Sequence, residues 1–458
     1  MDTTTPDEEY RTSAPHDGRL GIRGRLRHFT WAWFTLTMST GGLAVLLNRT
    51  PHKFRGLITI GTTIFIFNLI LFLCLTTAIT TRFLVDSKAL RRSLFHPSES
   101  LFFPCFWLSM STILLGIQAY GVPSSGPWLP VVLRVLFWIY LACTFTVAVV
   151  QYYILFTGEH LTIHSMTPSW IMPVFPVMLC GTLAGVLAAD QPPDQGLPII
   201  VAGVTFQGLG IFVSMIMYPL YLGRLMGDGL PAIDLRPGMF ISVGPPTFTS
   251  LALIGMANSL PSDYNFFSTH PLSTEVLQTV ALFTACFLWA LGFWFFCISA
   301  ISCVSGLRNM SFHLTWWAFV FPNVGFTIAT IDIGTQFQSQ GILWVGSAMT
   351  ILLVVLWCFV FSNHINAVRQ RKILWPGRDE DKEGWRTAPY MKESWNLNET
   401  RYVITTSSLP LAMNTSWSAY LRRTISRNFL LGRGCRINHW AGINAPPDAK
   451  LIADHLSP

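Results

Sequence analysis

Arg82 and Arg134 are the two basic residues that fall inside long apolar stretches of this chain; every other Lys and Arg belongs to a loop, a terminus or the tail. An arginine at a membrane-helix centre costs about 2.5–3.5 kcal/mol on insertion scales and is a functional candidate by default. Arg134 lies only about one and a half turns inside its stretch, within snorkelling reach of the headgroups. Arg82, near the end of its own stretch, either snorkels the other way or faces a cavity. In a cavity its guanidinium would hold a carboxylate through two parallel hydrogen bonds. Asp190, Glu275 and Asp332 stand at the ends of apolar stretches, and none of the eleven histidines is mid-stretch. A proton relay or cation site has no obvious residues, so anion recognition is the chemistry that remains.

A second group of polar residues accompanies glycines and prolines. These are Ser39 and Thr40, Gln118, Thr182, Thr247 and Thr249, and Asn323 and Thr327. Singly they are weak signals, because Ser and Thr often bond back to helix carbonyls. Together they permit a ring of donors. Phe319 and Phe321 flank Pro322, where an aromatic side chain either plugs a narrow pore or packs in a core.

The elements that must position these groups are ten apolar segments between about residues 29 and 363. Each has about 19–27 residues, enough to cross a hydrocarbon core of about 30 Å. Every second segment carries helix breakers: Gly41-Gly42 in the first, Gly116 in the third, Pro173, Pro176, Gly181 and Gly185 in the fifth, Gly244-Pro245-Pro246 in the seventh, Pro322 and Gly325 in the ninth. Freed backbone groups are tolerated in a membrane only where protein or a water-filled cavity surrounds them. The alternation predicts an all-α membrane protein of ten helices in five hairpins, odd helices inside around a pore and even helices outside.

Composition agrees with that class. Hydrophobic residues make up 51% and charged residues 12%, about half the charged share of a soluble domain, and mean hydropathy is +0.46. The first apolar stretch is too long for a signal peptide and lacks a small-residue cleavage site. The loops near 120–128, 190–197, 258–273 and 334–340 contain no Lys or Arg, whereas Arg23, Arg25 and Arg27, Lys88, Arg91 and Arg92, Arg224 and Arg236, and Arg369 and Arg371 lie on the opposite side. The positive-inside rule then puts both termini in the cytoplasm. The exception is the first outer loop, with Arg49, Lys53 and Arg55. Nine cysteines without a CxxC pair read as packing residues. With no cofactor motif, no metal spacing and no cluster of His, Asp or Glu on one face, an enzyme is not expected.

The chain divides into a polar segment 1–27, a membrane domain 28–363 and a polar tail 364–458. In the tail, Trp417, Leu421, Ile425 and Phe429 recur every four residues with Arg422, Arg423 and Arg427 between them. That spacing predicts an amphipathic helix over 416–431, suited to a cytoplasmic leaflet or to the domain's own inner surface.

Several motifs carry a resemblance. His28-Phe29-Thr30-Trp31-Ala32-Trp33-Phe34 leads into Ser39-Thr40-Gly41-Gly42; farther on come His96-Pro97-Ser98-Glu99, Tyr120-Gly121-Val122-Pro123 and Trp316-Trp317-Ala318-Phe319-Val320-Phe321-Pro322-Asn323. Over about residues 25–370 the chain resembles fungal malic acid transport proteins of the tellurite-resistance/dicarboxylate transporter superfamily, which also holds plant slow anion channels and fungal sulfite efflux pumps. The resemblance implies five hairpins around a pore, a homotrimer with one pore per subunit, and C4-dicarboxylate traffic, chiefly L-malate, across the plasma membrane. It puts the pore-occluding phenylalanine on Phe321, with Phe319 second, and a carboxylate-holding arginine on Arg82. The expected substrate contacts are then Arg82, Ser39, Thr40, Gln118, Thr182, Thr247 and Asn323. Channel-like passage driven by gradient and voltage is expected, with sulfite or other small-anion efflux and proton-coupled symport as alternatives. The tail inherits nothing.

Overall fold

The computed structural model describes residues 25–374, apart from 27, 97 and 158–161; the amphipathic helix expected over 416–431 lies outside them. The described residues hold long helices and no strand. Those that build the bundle are α1 (Phe34–Arg49), α2 (Leu57–Val85), α3 (Pro104–Gly116), α4 (Trp128–Thr157) and α5 (Phe175–Leu187), followed by α6 (Pro193–Asp228), α7 (Gly244–Asn258), α8 (Ser273–Gly306), α9 (Phe321–Gln336) and α10 (Gln340–Arg369).

Nine helical segments among the described residues are long and apolar enough to cross a membrane. They run from α2 to α10; α1, with 16 residues, is not among them, but it continues a 3-10 turn at Trp31–Trp33, and the two together rise about 30 Å.

Odd and even helices differ sharply in burial. The odd segments Ser100–Ser124, Pro168–Asp190, Ile233–Asn258 and Leu314–Gln336 are 72–94% buried in their most apolar windows, and the even segments only 22–33%. On the even helices, side chains such as Ile66, Ile70, Phe212, Phe287 and Ile351 project outward, as apolar groups do in lipid. α1 packs on α3, α3 on α5, α5 on α7, α7 on α9, and α9 returns to α1, so the five odd helices close a ring. Outside it, α2 packs on α1, α6 on α5, α8 on α7 and α10 on α9.

Each inner helix is preceded by a 3-10 segment: Trp31–Trp33, Ser100–Phe102, Pro168–Val174, Ile233–Val243 and Leu314–Phe319. Four of the five α segments have proline in the first turn: Pro104, Pro176, Pro245 and Pro322. There the missing N–H removes no helical bond. The prolines therefore mark where four of the five inner helices change geometry.

The glycines behave differently from the expectation. α1 runs unbroken through Gly41-Gly42, and α5 through Gly181 and Gly185. They are points of close approach instead. A Cβ on Gly185 would stand 2.9 Å from the Gly255 carbonyl carbon of α7, the small-residue contact by which membrane helices pack. In the third segment, Gly116 is followed by a π-helical turn, Ile117–Gly121. The last helix also extends past the expected end at 363, which brings His364 inside α10, where it is buried and its Nδ1 accepts from Trp317 Nε1 at 3.0 Å.

Candidate functional site

A cavity of about 30 Å3 lies inside the ring, and all five inner helices line it: Gly42 and Arg49 of α1, Thr112 of α3, Thr182 of α5, Phe248 of α7, Phe321 and Val324 of α9. A void that size holds about one or two waters. Its lining is mainly apolar; Arg49, Thr112 and Thr182 are the polar members.

Three aromatic rings stand where α5, α7 and α9 begin. Phe248 stacks on Phe321 with centroids 5.1 Å apart, Phe175 meets Phe248 edge-on at 5.7 Å, and Phe175 lies 6.0 Å from Phe321. All three are buried. Two glycines make room for them. A Cβ on Gly244 would stand 2.5 Å from the Phe175 ring, and one on Gly325 would stand 2.6 Å from Phe248. Gly42 faces the Phe321 ring across ordinary contact distance. Along α9, the lining runs from Phe321 to Val324 and Ile328, so the rings occupy the N-terminal end of the cavity.

At the other end, Arg49 closes α1 as its last residue. Its Nη2 approaches Asp332 of α9 at 3.4 Å, with the arginine side chain 40% and the aspartate 12% exposed. That is a long ion pair made through Nη2, open to solvent on the arginine side. The guanidinium therefore remains available to another anion. Thr112 Oγ1 donates to the Ser109 carbonyl at 2.8 Å and keeps its lone pairs free to accept. Thr182 Oγ1 has no hydrogen-bond partner among the described residues.

Of the residues expected to contact substrate, Thr182 is on the cavity wall, as is Phe321 of the two expected gate residues. The others are engaged elsewhere. Ser39 Oγ donates to the Trp317 carbonyl at 3.2 Å, and Thr40 Oγ1 donates to Leu36 while accepting from Trp357 Nε1 at 3.1 Å. Gln118 donates to Asp190. Thr247 and Thr327 bond back to their own helices, and Thr249 does so while accepting from Gln207. Asn323 Nδ2 donates to the Phe319 carbonyl, and Phe319 itself packs on Phe240 and Trp316. Arg134 is half-buried on α4, away from the cavity.

Arg82 departs most from expectation. It is buried, but Nη1 donates to Glu99 Oε1 at 2.5 Å and to the Phe29 carbonyl at 2.7 Å, and Nη2 donates to Glu99 Oε2 at 3.2 Å. It does not line the cavity. The expected free cation is committed to a carboxylate of its own chain, because the short connection after α2 folds Glu99 back beneath it. Glu99 is thus a buried carboxylate, 4% exposed, in the connection between α2 and α3.

Arg49, Thr112, Phe175 and Phe248 were not expected at the site. Arg49 did leave a signal, as one of the basic residues breaking the otherwise uncharged outer loops. The rings left one too: Val174-Phe175-Pro176 and Val320-Phe321-Pro322 repeat a tripeptide, and Val243-Gly244-Pro245 puts glycine at the same place. Phe175 packs over that glycine. Among the described residues no group of three or more His, Cys, Asp or Glu is placed to hold a metal ion.

A closed ring of five inner helices, each preceded by a 3-10 segment and all lining one internal cavity, is the architecture of a multi-pass membrane protein. The voltage-dependent anion channel family, SLAC1, matches residues 28–365, and this chain belongs to it. The chain is 34% identical over 376 residues to a malic acid transport protein of Schizosaccharomyces pombe, covering 81% of this chain and 85% of that one. A sulfite efflux pump of Trichophyton rubrum is 26% identical, covering 74% and 90% of the two chains. An S-type anion channel of Arabidopsis thaliana is 24% identical, covering 79% of this chain and 49% of its own length.

Proposed function

We propose that this chain carries dicarboxylate anions, L-malate first among them, through the five-helix cavity when the Phe321 ring moves aside. The observation that carries this reading is the cavity's asymmetry: Arg49 at one end, stacked phenylalanines at the other, and polar hydroxyls between them. The space is far too small for a four-carbon dianion with the rings as they stand, so passage needs their displacement. Phe321 is the gate in this reading, whereas Phe319 packs on Phe240 and Trp316, outside the cavity lining. The malic acid transport protein at 34% identity supports the choice of substrate.

Passage is driven by gradient and voltage. Among the described residues no Asp, Glu or His lines the cavity to relay a proton. Transport belongs to the segment of about 28–363, in three copies with one pathway each, in the plasma membrane, and the basic residues around its inner loops support cytoplasmic termini. Uptake of labelled malate into vesicles holding the purified protein tests this at clamped voltage. Flux that follows the malate gradient supports it, and flux strictly tied to a proton gradient contradicts the mechanism.

A second reading, efflux of sulfite or another small anion, is favoured by the sparsely polar lining and the similarity to a sulfite efflux pump. Arg49→Gln separates them. A dicarboxylate site loses affinity sharply, whereas a pore that merely dehydrates small anions loses mainly conductance.

A further inference from the structure

Asn68 is a polar residue that no role above uses. It lies on the outer helix α2, whose neighbours Ile66 and Ile70 are 52% and 55% exposed, yet it is itself fully buried. It therefore points inward, on the opposite face. Neither its Nδ2 nor its Oδ1 has a hydrogen-bond partner among the described residues.

What it faces is informative. A Cβ on Gly41 of α1 would come within 2.7 Å of Asn68 Nδ2 and would also collide with Thr112 Oγ1. The amide and the threonine hydroxyl thus lie side by side over one glycine, and Thr112 is part of the cavity wall. Thr182 of the neighbouring inner helix α5 lines the same cavity, and its hydroxyl also lacks a partner among the described residues. A buried amide without partners is destabilising, and an apolar residue of similar size would remove that cost. Polar groups kept where they destabilise are a mark of functional sites.

Resting on the dicarboxylate reading above, we propose that Asn68 and Thr112 form a subsite that recognises a 2-hydroxycarboxylate end of the substrate. A carboxamide carries a donor and an acceptor on one plane. Nδ2 donates to the carboxylate, Oδ1 accepts from the adjacent hydroxyl, and Thr182 offers a further donor from α5. The second carboxylate goes to Arg49. Gly41 and Arg49 are separated by eight residues of α1, or about 12 Å along the axis. A four-carbon dianion bridges that gap with a hydrogen bond of about 3 Å at each end. A side chain at Gly41 would fill the space shared by the amide and the Thr112 hydroxyl.

The test is transport of malate, succinate and nitrate by full-length protein in vesicles, comparing the native chain with Asn68→Leu. Succinate lacks the hydroxyl, and nitrate reports on the pore alone. The native chain is expected to prefer malate to succinate. Asn68→Leu should raise the KM for malate about ten-fold, bring the malate-to-succinate ratio close to one, and leave nitrate flux within two-fold. Its thermal midpoint should stay level or rise, since an unpaired amide is removed. An unchanged malate-to-succinate ratio overturns the subsite while leaving the dicarboxylate pathway standing. Equal losses for all three anions overturn it too, making Asn68 a packing residue. A native chain that carries nitrate but neither dicarboxylate overturns the dicarboxylate reading itself, and the subsite with it.

Discussion

The ring of Phe248 stacks on that of Phe321 at 5.1 Å with their planes 26° apart, and Gly325, four residues beyond Phe321, provides the space behind Phe248. The stack is therefore held from both helices: α7 supplies one ring, and α9 supplies the other ring and the hollow. Gly325→Ala should force Phe248 out of that hollow and toward the cavity. Overpacking of this kind destabilises by about 1–3 kcal/mol, so flux and thermal midpoint should both fall. Adding Phe248→Leu should restore both. Unaltered flux and stability in Gly325→Ala would show that the hollow does not hold the ring.

At the other end of the cavity, Asp332 competes with an incoming anion for Arg49. Arg49→Gln should raise the KM for malate by about ten-fold or more, the worth of a charge-assisted hydrogen bond. Asp332→Asn should do the reverse, lowering KM by up to about five-fold, because the pair it releases is long and open to solvent on the arginine side. Initial-rate uptake over a malate concentration series measures both. Parallel changes in the two variants would remove Arg49 from the pathway.

The Arg82–Glu99 pair should matter for folding and not for substrate. Arg82→Met leaves Glu99 buried without its partner, a loss of about 3–5 kcal/mol, whereas Arg82→Met with Glu99→Leu replaces the whole pair by apolar groups and should be nearly neutral. Thermal unfolding in detergent should show the loss in the single variant and recovery in the double. The KM for malate should be native-like in the double variant. A KM raised ten-fold there, with stability recovered, would return Arg82 to the substrate site.

The bundle was legible because its signal is repeated. Pro104, Pro176, Pro245 and Pro322 mark four of five inner helices, and the smooth outer helices alternate with them. The site was less legible, for particular reasons. Gly41 and Gly42 have breaker composition, but their role is close approach to α2, α3 and α9, which depends on what lies opposite. Arg82 read as a cavity cation because Glu99 is 17 residues away in sequence and meets it only after the chain turns back. Ser39, Thr40 and Thr247 are polar residues beside glycines in the right helices, yet their hydroxyls are satisfied by backbone carbonyls. Arg49 was visible as a charge out of place, and Phe175 and Phe321 as a repeated Val-Phe-Pro, a signal that gains meaning once both fall at a helix start.

Electrical recording of the purified protein in planar bilayers with a malate gradient, native chain against Phe321→Ala, tests the central claim most directly. Phe321 loses two aromatic contacts when it moves, worth about 1–3 kcal/mol together, so its removal should raise malate current on the order of ten-fold. The reversal potential should follow the malate gradient in both chains, and Phe319→Ala should stay within two-fold of native. Absence of malate current in both the native and the Phe321→Ala protein, with the protein folded, would contradict the account.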